Sequence, residues 1–246
     1  MKKNLIVLLV AIALLVGILS GCTEETNIAP DASFTYTSEN DYVDTELEFS
    51  DASTTDDDLT YLWDFGDGET STDKNPKHTY AEAGTYTINL TVTDTADQTD
   101  YYTMDIVITL KDIVTTAIDA GFSTLATALT TAELVETLQG EGPYTVFAPT
   151  NDAFAALNQT WLTNLLSDTT NLTKVLTYHV VSGKVMSTDL TNGTVTTLEG
   201  TNITVVVDTI VTINDVTVTT ADVECNNGVI HIIGEVLLPD SVSGPE

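Results

Sequence analysis

Two kinds of periodicity divide this chain. From Phe34 to Leu110, apolar and polar residues alternate in short runs separated by polar turns, as in Ser33-Phe34-Thr35-Tyr36, Leu47-Glu48-Phe49 and Tyr61-Leu62-Trp63-Asp64-Phe65. A period of two predicts strands with one face in a core and the other in water. The clearest run covers residues 85–93, with Tyr86, Ile88, Leu90 and Val92 on one face and Thr87, Asn89 and Thr91 on the other. Many short strands with frequent turns predict a two-sheet sandwich.

At Lys111 the spacing becomes helical. Asp112 is placed to cap a helix carrying Ile113, Ala117 and Ile118, and Phe122, Leu125, Ala126 and Leu129 continue the apolar face beyond Gly121. Thr130 and Glu133 have capping-box spacing ahead of Leu134, Val135 and Leu138, with Gly140 as the stop. Tyr144-Thr145-Val146-Phe147 predicts a strand ending at Pro149, after which Thr150-Asn151-Asp152 offers an N-cap for a helix through Ala153, Phe154 and Leu157. Trp161, Leu162, Leu165 and Leu166 keep helical spacing, and a further helix capped near Asn171 carries Leu172, Val175 and Leu176. Beyond Val180 the chain reads as strands, with turns at Asn192-Gly193, Asn214-Asp215 and Asn227-Gly228, the last two placed to close hairpins.

Residues 1–21 fit neither pattern. Lys2-Lys3 precedes an apolar run over 5–19 that only Gly17 interrupts. The run is shorter than the ~20 residues that span a bilayer comfortably, so it predicts an export signal, with cleavage favoured over an uncleaved signal anchor. The expected organisation is a signal at 1–21, a polar tether at 22–29, a β-sandwich at 30–110, a mixed α+β domain at 111–239 and a tail at 240–246.

Charge narrows the function. The formal net charge is −30, and every basic residue is lysine. Affinity for nucleic acid comes largely from cations that displace counterions from phosphate, so no nucleic-acid partner is expected. Asp56-Asp57-Asp58, with Asp64 and Asp67, raises the question of calcium. The spacing does not match an EF-hand loop, and solvated turn aspartates account for these residues, so no metal and no cofactor is assigned. Only Cys22 and Cys225 carry thiols.

Leu19-Ser20-Gly21-Cys22 resembles the lipobox of prokaryotic lipoproteins, which implies diacylglyceryl attachment at Cys22 and leaves Cys225 without a disulfide partner. Trp63-Asp64-Phe65-Gly66-Asp67-Gly68, followed by Asn75-Pro76, His78-Thr79-Tyr80 and Gly84-Thr85-Tyr86, resembles the PKD domain, an immunoglobulin-like sandwich. Residues 145–154, Tyr178-His179 and Asn227-Gly228-Val229-Ile230-His231-Ile232-Ile233 resemble, in order, the first signature, the central tyrosine-histidine pair and the second signature of the fasciclin domain. The sequence departs from that pattern at Gly234-Glu235, where an aspartate and a small residue are often found. The implied fold class is thus an all-β PKD-like sandwich followed by an α+β fasciclin-like domain.

The resemblances imply a lipid-anchored protein on the outer face of the cell membrane. Its expected partners are an extracellular or surface protein or a carbohydrate, and it is not expected to be an enzyme. Two rivals are a structural envelope component without a specific ligand and an accessory hydrolase. The resemblance offers Tyr178 and His179 as a ligand-contact pair, whereas the flanking Leu176, Val180 and Val181 predict that both are buried. His78 reads as part of a turn near the core and His231 as a hydrogen-bonded strand histidine. Cys225, His231 and Asp222 are the residue types of a thiol nucleophile and its base, with no oxyanion-stabilising motif beside them. Asn89, Asn158, Asn171, Asn192 and Asn202 each open an Asn-x-Thr glycosylation sequon.

Overall fold

A computed structural model describes residues 28–55 and 57–242. The sorting segment with Cys22, and Asp56 of the acidic run, lie outside the described residues. The N-terminal half contains β1 (Phe34–Thr37), β2 (Glu46–Asp51), β3 (Thr60–Asp64), β4 (Thr70–Ser71), β5 (Lys77–Thr79), β6 (Gly84–Thr93) and β7 (Thr99–Ile108). They form a three-stranded sheet ordered β1-β2-β5 and a four-stranded sheet ordered β4-β3-β6-β7. The predicted alternation holds along β6, where Ile88, Leu90 and Val92 are buried.

Aromatic packing dominates the core of this sandwich. Phe34 meets Trp63 edge-on with centroids 5.0 Å apart, and Phe49 packs against both Trp63 and Phe65. The polar end of each large ring is satisfied: Trp63 Nε1 donates to the Asp73 carbonyl at 2.9 Å and the Tyr80 hydroxyl to the Phe65 carbonyl at 2.9 Å. Gly66 turns at φ +82°, and a Cβ there would stand 2.7 Å from the Thr87 carbonyl oxygen, so the turn after Phe65 admits only glycine.

The C-terminal half opens with α1 (Ile113–Asp119), α2 (Ser123–Thr131) and α3 (Val135–Leu138), followed by β8 (Tyr144–Pro149). Three more helices, α4 (Asn151–Ala155), α5 (Gln159–Ser167) and α6 (Thr169–Tyr178), lead into β9 (Val180–Ser182). The chain then runs through β10 (Gly193–Thr196), β11 (Asn202–Val207), β12 (Val211–Ile213), β13 (Val216–Cys225) and β14 (Gly228–Ile233). One seven-stranded sheet, ordered β10-β11-β12-β13-β14-β8-β9, gathers all the strands. Its only parallel pair is β14 with β8, the segments that carry the two terminal signatures. Helical residues pack with Val146, Ala148 and Ile230 in one apolar cluster, while Phe147, Ile203, Val205, Ile213 and Ile233 belong to another.

Asn227 holds the helices to this sheet. Its side-chain Oδ1 accepts from Ile113 N–H at 3.0 Å, and Nδ2 donates to the carbonyls of Leu138 and Gly140 at 2.7 and 2.9 Å. One buried amide therefore satisfies a backbone donor where α1 starts and two acceptors where α3 ends, groups that helix geometry leaves without intrahelical partners. The next residue is glycine for a steric reason: a Cβ on Gly228 would overlap the Tyr144 carbonyl oxygen of β8.

Two predicted caps are observed. Asp112 Oδ1 accepts from Thr115 N–H at 2.9 Å, and Thr150 Oγ1 from Ala153 N–H at 3.1 Å. Several details differ from the sequence expectation. Thr130 lies inside α2, where its hydroxyl donates to the Ala126 carbonyl, so the Thr130–Glu133 capping box does not form. Asp168, not Asn171, caps α6 by accepting from the N–H groups of Thr170 and Asn171. Ile118 is exposed because the packed face of α1 is made by Ile113, Val114 and Ala117. The β13–β14 turn is centred on Asn226-Asn227, and Gly228 already pairs within β14. β7 matches none of the expected strands, since the adjacent apolar pairs Tyr101-Tyr102 and Ile106-Val107 obscure its alternation.

None of the three apolar clusters contains residues from both sides of Lys111. Segments 30–110 and 111–246, expressed separately, are therefore expected each to melt cooperatively. In the whole chain, Asn227→Ala is expected to lower the stability of the second transition by about 3 kcal/mol, from the buried partners it strands. The first transition should not move. Scanning calorimetry checks both, and a C-terminal segment that unfolds without its neighbour would count against two autonomous cores.

Candidate functional site

Tyr178 and His179 end α6 and lead into β9, and their side chains reach different parts of the interior. Tyr178 is 6% exposed and packs in the cluster of Phe147, Ile203 and Ile213. Its hydroxyl donates to the Asn202 carbonyl at 3.0 Å and accepts from Asn214 Nδ2 at 2.9 Å. Asn214 in turn clamps Thr204, with its N–H on the Thr204 carbonyl and its Oδ1 on the Thr204 N–H. Tyr178 thus fastens the C-terminal end of α6 to the β11–β12 region of the sheet.

His179 is 3% exposed and lines a small apolar cavity with Leu125, Leu129, Val146, Leu176 and Ile230. Leu237 N–H donates to its Nε2 at 2.9 Å, so Nε2 is the acceptor and the proton sits on Nδ1, which donates to the Val175 carbonyl at 2.7 Å. Burial pushes the imidazole down to about 4, against the opposing pull of the Val175 hydrogen bond. The ring is a neutral strut between α6 and the segment after β14. Both members of the pair are interior groups, and neither presents a free donor or acceptor to solvent.

Comparison with known proteins places this geometry. The model described as the fasciclin domain matches residues 120–239, and the PKD domain model matches residues 27–110. Among curated proteins, an uncharacterized protein of Synechocystis sp., sll1735, is 44% identical over 131 residues, covering 52% of this chain and 98% of that one. The chain belongs to the fasciclin family. A second Synechocystis protein, sll1483, is 50% identical over 121 residues, covering 48% of this chain and 67% of that one. Transforming growth factor-beta-induced protein ig-h3 of Sus scrofa is 40% identical over 127 residues, 49% of this chain but 18% of that protein. A PKD sandwich therefore precedes the fasciclin domain. The fasciclin match begins after α1, yet Ile113, Val114 and Ala117 of that helix pack in the same cluster as the matched segment.

The other candidates in the fasciclin domain do not converge on one site. Cys225 packs in the helix-side cluster, and burial raises its thiol pKa above the ordinary value, which disfavours the reactive thiolate. His231 stacks on Phe147 with centroids 5.6 Å apart, donates from Nε2 to the Val185 carbonyl at 2.9 Å and accepts at Nδ1 from Asp222 N–H at 3.2 Å. Both ring nitrogens are occupied by backbone groups. Asp222 sits at φ +62° in an irregular stretch of β13 and takes both the N–H and the hydroxyl of Ser187. Burial would raise its carboxyl pKa, but those Ser187 hydrogen bonds outweigh it and hold it below the usual value.

In the PKD domain the aspartates serve the turn. Asp64 Oδ1 accepts from Gly66 N–H at 2.9 Å, and Asp67 Oδ1 from Glu69 N–H at 3.0 Å. The second oxygen of Asp67 bonds His78 Nε2 at 2.7 Å, and the His78 ring stacks on Phe65 at 4.0 Å. Among the described residues, no group of three or more histidine, cysteine or acidic side chains is placed to hold a metal. The sequons differ in setting. Asn158 caps α5, Asn171 Nδ2 donates to Asp168 and Asn192 Oδ1 accepts from Val207 N–H. Asn89, expected on an open face, is half-buried, and its side-chain oxygen is enclosed without a partner.

Sequence reasoning missed Asn227 as a structural hub. It appeared only as a turn residue, because nothing local to Asn-Gly shows which helix ends lie above it.

The buried pair gives two expectations. Tyr178→Ala should destabilise the fasciclin domain by ~3 kcal/mol or more, as large-to-small aromatic substitutions in cores do. His179 has a folded pKa below its unfolded value of about 6.5, so its contribution is complete above that pH and is lost as pH falls toward about 4. The unfolded chain binds the proton first. Denaturant titrations of wild type and His179→Leu at several pH values check this: the wild type should lose about 3 kcal/mol more than the variant across that window. Equal slopes would show that the ring titrates normally.

Proposed function

We propose that this protein is a lipid-anchored surface protein whose fasciclin domain binds an extracellular protein or carbohydrate while its PKD domain holds that domain away from the membrane. The observation that carries the reading is the succession of a PKD domain and a fasciclin domain behind a segment ending in Leu19-Ser20-Gly21-Cys22. Fasciclin domains resemble modules of adhesion and matrix proteins, and the buried Tyr178, His179 and His231 of this one have their polar atoms engaged inside the domain. Among the described residues no helix is long and apolar enough to cross a membrane, and this reading places the anchor at Cys22. Two acyl chains hold stably where one does not, at ~0.8 kcal/mol per buried methylene.

Because Tyr178 and His179 are interior, the binding surface lies elsewhere on the fasciclin domain. Val206 and Ile210 are large apolar side chains left exposed in the β11–β12 hairpin. These two side chains are where the proposed binding is tested.

Cys22→Ala is expected to abolish lipid attachment and leave uncleaved precursor or a soluble secreted product, read by detergent partitioning and intact mass. Wild-type protein that carries no lipid mass and appears in the medium would rule out the anchor. In a pull-down from surface extracts with residues 23–246, Val206→Asp with Ile210→Asp should lose the captured partner at unchanged melting temperature. A bait that captures nothing specific supports the spacer reading instead.

A further inference from the structure

β7 ends the four-stranded PKD sheet, and its outer edge is bare. Where β6 turns into β7, Asp94 N–H donates to the Gln98 carbonyl at 3.0 Å. Backbone groups alternate along an antiparallel ladder, so Asp100, Tyr102, Met104, Ile106 and Ile108 turn theirs toward β6. Thr99, Tyr101, Thr103, Asp105 and Val107 turn theirs away. Thr109 has the same parity and shows what that side can do: its N–H donates to the Asp41 carbonyl, and its carbonyl accepts from Val43 N–H. Among the described residues nothing pairs with the outer backbone groups of 99–107.

Edge strands are ordinarily kept very short or guarded by lysine, proline or a bulge, because a bare edge is a template for another strand. The other strands at sheet ends, β1, β4, β5, β9 and β10, have two to four residues each. β7 has ten, with no lysine, no proline and an unbroken register on β6. Its carboxylates are already engaged, Asp100 by Ala32 N–H at 2.8 Å and Asp105 by the Thr87 hydroxyl at 2.6 Å. The core is also open along this edge. Tyr102 stands opposite the fully buried Leu90 and packs edge-on against Phe34, yet it is 38% exposed.

We propose that β7 is an interface between two copies of this chain, whose β7 strands pair antiparallel about Thr103 and join two four-stranded sheets into one. In that register all five outward residues find partners: Thr99 with Val107, Tyr101 with Asp105, and Thr103 with its own counterpart. No carboxylate meets a carboxylate, since Asp105 faces Tyr101 and Asp100 faces Ile106. Met104 of one copy comes beside Tyr102 of the other and covers the open margin of the core. A helix or loop cannot match a row of alternating donors and acceptors, whereas a second β7 matches it in length and spacing, and a two-fold interface uses the same patch twice. The contact is narrow, so the association is weak. Each copy carries a formal charge of −30, and salt screens their repulsion, so pairing tightens as salt rises.

Sedimentation velocity of residues 23–246, which hold every described residue, tests this across the micromolar to millimolar range at low and high salt. A monomer–dimer equilibrium is expected, about tenfold tighter at high salt. Thr103→Pro removes an N–H that β6 does not use, and should give a monomer that still melts cooperatively. Thr103→Cys sets two thiols on strands whose facing Cα atoms lie ~5.5 Å apart, within disulfide reach. Cys225 is buried, so mild oxidation should link this variant into a covalent dimer, and Thr99→Cys, which faces Val107, should not link. A chain that stays monomeric throughout overturns the proposal. So does a dimer indifferent to Thr103→Pro, or one that oxidises equally well through Thr99→Cys. The Val206→Asp, Ile210→Asp variant should dimerise as the wild type does, and Thr103→Pro should keep the partner captured in the pull-down, so this proposal and the surface-binding reading fail independently.

Discussion

The fasciclin domain depends on the close approach of two strands that are distant in sequence. β8 and β14 run parallel in register from Tyr144 opposite Gly228 to Pro149 opposite Ile233. At the start of that ladder the backbones come so near that only a glycine fits at 228. Parallel strands cannot be joined by a tight turn, and here the crossover between them holds three helices and the rest of the sheet. Apolar groups therefore sit on both faces of the central strands, which explains their near-continuous hydrophobicity. Asn227, beside that glycine, uses its whole amide on helix ends, so the same turn fixes the strand register and docks α1 and α3.

Once this spine is set, the roles of the tyrosine-histidine pair follow. The helix that ends at Tyr178 must turn into β9, which pairs with β8 on its free side. Successive residues at that junction point to different clusters, so the tyrosine ties down the far strands and the histidine props the segment after β14. A group so enclosed contributes to recognition only by keeping the surface around it in shape. The binding proposed for this domain is accordingly assigned to exposed features such as the β11–β12 hairpin.

The PKD sandwich reaches stability by a different route. It has no disulfide to rely on and builds its core from aromatic rings, with Trp63 and Tyr80 donating to backbone carbonyls. At its turns Asp64, Asp67 and Asp94 accept backbone amide hydrogen bonds. The core and the outer face use alternate residues of the same strands.

What the sequence determined alone was whatever depends on neighbours in the chain. The alternation over 85–93 marked β6 and its buried side, the Asp112 and Thr150 caps lay within a few residues of the amides they serve, and the ordered signatures placed a PKD and a fasciclin domain in succession. Tertiary structure decided the rest, because the deciding partner is remote. Thr130 looked like a cap until α2 extended through it, and Asp168 displaced Asn171 because the break between α5 and α6 comes earlier than periodicity shows. Asn89 lost its open setting to flanking strands from elsewhere in the chain. The two signature segments could be recognised separately, but only folding brings Gly228 against Tyr144, and that contact, between residues more than eighty positions apart, makes the glycine obligatory.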